Sequence, residues 1–96
     1  IKLGFGDDWA RSIPVFGTKG MHGHALGATG AFEAALCCLA MKHGMVPPSI
    51  NIQTPDEDCD LDYVPDGPRA FTPGPTVSNS FGFGGHNGSL VLLPPD

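Results

Sequence analysis

Between residues 27 and 43 the apolar residues Ala28, Ala31, Phe32, Ala35, Leu36, Leu39 and Ala40 recur at helical spacing, and Gly44 with Pro47 and Pro48 supplies a stop. The other faces of this predicted helix are also nearly all small or apolar, so it must be buried on most of its circumference. A chain of 96 residues cannot surround a helix on every side, and further layers are expected from outside it. Residues 1–5 read as the last turn of a helix stopped by Gly6, which points the same way: residues 1–96 are expected to be part of one larger domain.

Around that helix the pattern is broken. Asp7, Asp8 and Trp9 open a short connector, Ile13, Val15 and Phe16 form a brief strand-like run, and residues 17–23 read as a glycine-rich loop leading into the helix. Residues 47–75 are irregular and hold seven of the ten prolines and the acids Asp56, Glu57, Asp58, Asp60 and Asp62. This run lacks the glycine and terminal carboxylate of an EF-hand loop and reads as a solvated connector. Residues 76–79 and 89–93 read as two strands of a hairpin with the glycine-rich, aromatic tip SFGFGGHNG.

Charge and composition remove several function classes. Ten acidic against five basic residues give a formal charge of −5, which argues against a phosphate-neutralising nucleic-acid surface. The longest apolar stretch, residues 25–41, carries Glu33 and falls short of the roughly 20 residues of a membrane span, so no membrane is expected. Cys37, Cys38 and Cys59 form no disulfide framework, and adjacent thiols in an apolar run suit a reducing compartment, with cytoplasm as the expectation.

Four features could carry chemistry. Glu33 lies in the apolar helix, where a carboxylate requires a partner, and Lys19 in the preceding loop is the nearest upstream cation. His24 stands at the helix start, where it is either an ordinary loop residue or a donor of a hydrogen bond to a developing oxyanion. His22 and His24 form an H-x-H pair that would need a third ligand such as His86 to hold a metal in a hydrolase. The GFGG tip lacks the Lys-Ser/Thr end of a phosphate loop. Its glycines either free Phe83 to act as an aromatic gate or close a tight hairpin whose phenylalanines pack in the core.

The run Thr18-Lys19-Gly20-Met21-His22-Gly23-His24, followed by Leu26-Gly27-Ala28-Thr29-Gly30-Ala31, resembles the TKxMxGHxLGAxGA signature of the β-ketoacyl-acyl-carrier-protein synthases. Three later blocks look like C-terminal landmarks of that family in the right order: Pro47 to Asn51, Asp60 to Pro65, and Ser78 to Gly88. The resemblance spans essentially the whole chain. Gly20, His22 and His86 stand where Ser, Thr, and Thr or His are common, and His22 is therefore read as incidental.

The resemblance implies an α/β, thiolase-like fold of layered αβαβα type, with this chain in its C-terminal half. It implies decarboxylative Claisen condensation of a cysteine-bound acyl group with malonyl carrier protein, in fatty-acid or polyketide chain elongation. Only one member of the family's Cys-His-His set maps here: His24, which would stabilise the enolate, while the nucleophilic cysteine and first histidine would lie upstream. Lys19 and Glu33 match a polar cluster, Phe83 the gate residue whose backbone N–H helps form an oxyanion hole, and Phe81 an aromatic residue near the malonyl pocket. No cofactor is implied as required, although some members hold a monovalent cation near the positions of Glu33, Ser78 and Asn79. The implied partners are acyl carrier protein with its acyl and malonyl groups, and a second condensing-enzyme subunit in a homodimer or heterodimer. A non-catalytic partner subunit of the chain-length-factor type is the alternative, and a histidine-based metal hydrolase ranks behind it.

Overall fold

The computed structural model describes all residues, Ile1 to Asp96. They divide into two compact units, one formed by Ile1–Gly23 with Val46–Arg69 and the other by His24–Met45 with Ala70–Asp96. The chain passes from one to the other at Gly23–His24 and at the two-residue strands β1 (Met45–Val46) and β2 (Arg69–Ala70).

In the first unit, α1 (Lys2–Phe5) ends at Gly6, whose φ of 86° explains the glycine stop. The segment expected to be a connector is instead a helix, α2 (Asp7–Ser12). Asp7 and Asp8 occupy its first turn and Arg11 its last, complementing the helix dipole, and Arg11 Nε donates to Asp7 Oδ2 at 2.7 Å. Six residues are too few to display a helical period, so only the charge placement carried the signal. The rings of Phe5 and Trp9 lie 4.8 Å apart across the α1–α2 junction. Part of the expected loop before His24 is a single helical turn, α3 (Lys19–His22). The strand-like run at residues 13–16 is reduced to one parallel bridge between Pro14 and Asp62, with Val15 N–H donating to the Asp62 carbonyl at 2.7 Å.

Ala10, Thr18, Val46 and Val64 are buried in this unit. Two acids of the irregular segment are bound rather than simply solvated: Asp60 pairs with Lys2 Nζ at 2.6 Å and with Arg11, and Asp62 pairs with Arg69. Asp56, Glu57 and Asp58 are exposed, as a solvated connector requires.

The second unit carries the long helix. A 3-10 turn, Leu26–Ala28, runs into α4 (Thr29–His43), and Gly44 at φ 62° ends it by donating its N–H to the carbonyls of Ala40 and Met41. The strands β3 (Thr76–Phe81) and β4 (Asn87–Leu92) pair antiparallel from Thr76–Leu92 to Phe81–Asn87. Small groups bring α4 onto β3: a Cβ built on Gly30 would lie 3.5 Å from Ser80 Oγ, and buried Ser78 lies near enough to buried Cys37 to act on its thiol. Ser78 and Ser80 therefore share the strand face turned to the helix. Thr29, Cys37, Ala40 and Met41 are buried, whereas Phe32 and Leu39 on the same helix remain about half exposed.

Candidate active site

His24 is held by the backbone that follows it. Leu26 adopts φ 50°, a left-handed conformation that costs a branched residue about 1–2 kcal/mol, and its N–H donates to His24 Nδ1 at 2.9 Å. The Thr29 hydroxyl lies 3.1 Å from the same nitrogen. A ring nitrogen that accepts a backbone N–H carries no proton, so the proton of the neutral ring is on Nε2, and Nε2 is a hydrogen-bond donor. The ring is thus tied to the N-terminal end of α4, where aligned peptide dipoles favour negative charge.

A second group lies along α4 and β3. Glu33 is half-buried and Ser78 buried, while Asn79, opposite Ser89 in the ladder, accepts the Ser89 hydroxyl through Oδ1 at 2.6 Å. Burial pushes the Cys37 thiol up, with Cys38 and Glu33 adding to the effect and Ser78 opposing it, so Cys37 is the reverse of an activated nucleophile. Glu33 and Ser78 offer carboxylate and hydroxyl oxygens of the kind that suits a hard cation, whereas the amide of Asn79, next to Ser78 on β3, lies on the opposite face of the strand and is engaged by Ser89. The three-histidine hydrolase finds no ligand set, because no group of three or more His, Cys, Asp or Glu side chains is placed to hold a metal. His22 Nε2 is instead 2.9 Å from Thr18 Oγ1 within its own helical turn.

The hairpin tip is the third element. Gly84 and Gly85 take φ values of 79° and 82°, and Gly82 N–H donates to the His86 carbonyl at 2.6 Å. This turn leaves Phe81 80% and Phe83 100% exposed, which overturns the reading of phenylalanines packed in the core of this hairpin. Phe81 follows Ser80 at the end of β3 and so lies on the strand face opposite α4, while Phe83 is fully exposed in the turn.

Lys19 opens α3 in the first unit and is exposed, while His24, Glu33, Ser78, Asn79, Phe81 and Phe83 all belong to the second. Sequence reasoning did not single out the roles of Leu26 and Thr29. A backbone N–H leaves no trace in residue type, but a hydroxyl in the first helical turn after a histidine is a readable signal.

The geometry is that of a fixed imidazole whose free ring N–H lies beside the N-terminal end of α4. The chain belongs to the family described as beta-ketoacyl synthase, C-terminal domain, whose pattern matches residues 1–53. It is 51% identical over 92 residues to 3-oxoacyl-[acyl-carrier-protein] synthase 2 of Coxiella burnetii, covering 96% of this chain and 22% of that protein. It is 45% identical over 86 residues to the tetracenomycin polyketide synthase ketoacyl synthase alpha subunit of Streptomyces glaucescens, covering 90% of this chain and 20% of that one. Among solved structures, it matches a chain in the complex of a type II PKS acyl-carrier protein with its ketosynthase bound to the hexaketide. There the TM-score is 0.84 at 40% identity, over 88% of this chain and 21% of that chain. The chain spans about a fifth of the length of the curated relatives it matches.

Proposed function

We propose that the complete protein carrying this chain is an elongating β-ketoacyl-acyl-carrier-protein synthase, in fatty-acid or polyketide synthesis, with the layered αβαβα architecture of the thiolase-like fold. The observation that carries the reading is the fixed ring of His24, whose Nδ1 is occupied by Leu26 N–H and whose Nε2–H is left as a donor. In the reaction, malonyl carrier protein loses carbon dioxide as its carbon–carboxylate bond breaks, and the released electron pair forms an enolate. His24 Nε2–H donates to the thioester oxygen on which that charge develops, assisted by the N-terminal end of α4. The enolate carbon attacks the acyl thioester held on a cysteine outside residues 1–96, and the thiolate leaves. The Phe83 backbone N–H contributes to the oxyanion hole of that acyl group, and its ring gates access, with Phe81 beside the malonyl group.

For Lys19 and Glu33 the reading carries over the polar-cluster roles that the family resemblance implies. A monovalent cation held near Glu33, Ser78 and Asn79 would supply fixed positive charge beside α4, with no role in bond breaking. The partner is acyl carrier protein, a reading supported by the similar structure, which is a ketosynthase complex with its carrier protein. A dimer and a cytoplasmic location complete the proposal, and no helix is long and apolar enough to cross a membrane.

The test is to measure acylation of the cysteine, carbon dioxide release and 3-oxoacyl product separately in the complete protein. His24→Ala is expected to lower decarboxylation and condensation by about 100- to 1000-fold, the usual loss on removing an oxyanion donor, and to leave acylation intact. Full decarboxylation by His24→Ala would defeat the reading.

A further inference from the structure

We propose that Thr29 is a positioning residue for His24, acting through a second hydrogen bond to Nδ1. The proposal rests on the reading of His24 as the enolate-stabilising residue and adds a group that the TKxMxGHxLGAxGA pattern leaves unspecified at this position.

Three observations converge. Thr29 Oγ1 lies 3.1 Å from His24 Nδ1, the atom that already accepts Leu26 N–H at 2.9 Å. Because Leu26 N–H excludes a proton from Nδ1, the Thr29 hydroxyl is the donor in this contact. Thr29 is also only 7% exposed and is the first residue of α4, so the helix sets the position of its hydroxyl and no rearrangement at the surface is needed to keep it there.

Two donors converging from different elements, the 3-10 turn and α4, oppose rotation of the imidazole more than one can. Donation into Nδ1 also draws electron density from the ring, and linked hydrogen bonds strengthen one another, so Nε2–H becomes a better donor to the enolate oxygen. Leu26 N–H alone selects the tautomer. Thr29 sharpens the aim and the strength of the bond that tautomer makes.

The experiment compares Thr29→Val, which keeps the branched shape without the hydroxyl, with Thr29→Ser, which keeps the hydroxyl. Both are made in the complete protein and assayed for cysteine acylation and for carbon dioxide release from malonyl carrier protein. Thr29→Val is expected to slow carbon dioxide release about 3- to 10-fold, the effect of one neutral hydrogen bond, with acylation unchanged and Thr29→Ser close to the parent. Thr29→Ala provides the same comparison where the valine variant does not fold. Equal losses in acylation and decarboxylation would mark a merely structural role and overturn the proposal. So would unchanged decarboxylation in Thr29→Val while His24→Ala is inactive. Full decarboxylation by His24→Ala overturns instead the functional reading on which the proposal rests.

Discussion

The backbone N–H of Gly82 donates to the carbonyl of His86 at 2.6 Å, and the turn closed by this bond carries Phe83 at its tip. Gly84 and Gly85, both at positive φ, complete a turn in which the Phe83 ring makes no use of the hairpin's own packing.

Phe83→Ala should therefore change function more than folding. It removes the ring but keeps the backbone N–H assigned to the oxyanion hole. In the complete enzyme the ratio of acyl-enzyme formation to carbon dioxide release is expected to shift, with little change in melting temperature. Two unchanged rates would remove the gate role from Phe83.

Gly30 tests how closely α4 must approach β3. An added Cβ would meet Ser80 Oγ at 3.5 Å, an ordinary contact, and alanine is the better helix former by about 1 kcal/mol. Gly30→Ala is expected to hold or raise stability by up to about 1 kcal/mol. Gly30→Leu, which must push the strand away, should lower it by about 1–3 kcal/mol. Denaturant midpoints of the two variants in the complete protein check the difference, and equal midpoints would show that the approach is not tight.

Acid should release the irregular segment of the first unit in a defined window. Hydrogen bonds from Lys2 and then Arg11 hold the Asp60 carboxyl at about 2, below its ordinary 3.8. A carboxyl depressed in the folded state stabilises fully above its ordinary range and loses that contribution as pH falls through the folded value. The protection of the residue 56–62 amides, taken relative to their intrinsic exchange rate at each pH, should thus hold at pH 5 and fall between about pH 4 and pH 2. Asp60→Asn should show the lower protection already at neutral pH. Exchange that matches the parent at every pH would show that the ion pairs do not hold this segment.

The elements legible in the sequence were those whose cause is local. The α4 helix repeats apolar residues over four turns and ends at a left-handed glycine, both written in residue type. The α2 helix was not legible, because six residues contain fewer than two helical periods and its support comes from Arg11 reaching Asp7 and Asp60. The hairpin was expected, but its ladder runs on through Ser80–Gly88 and Phe81–Asn87, where register rather than strand preference keeps the chains paired. Of the candidate site, His24, Lys19, Glu33 and Phe83 were singled out from residue type and position, and the roles given to them rest on the family resemblance.

By itself the sequence determined the apolar helix, its start and stop, the glycine freedom of the tip and the family signature, because each depends on residue type at short spacing. Only the tertiary structure decided which nitrogen of His24 carries the proton and which atoms hold the ring. Those depend on the φ of Leu26 and on where the first turn of α4 places the Thr29 hydroxyl. It also decided that Asp60 and Asp62 are held by Lys2, Arg11 and Arg69 rather than by water alone. Ion pairs between residues far apart in the chain follow from the path of the backbone, which no local pattern of charges records.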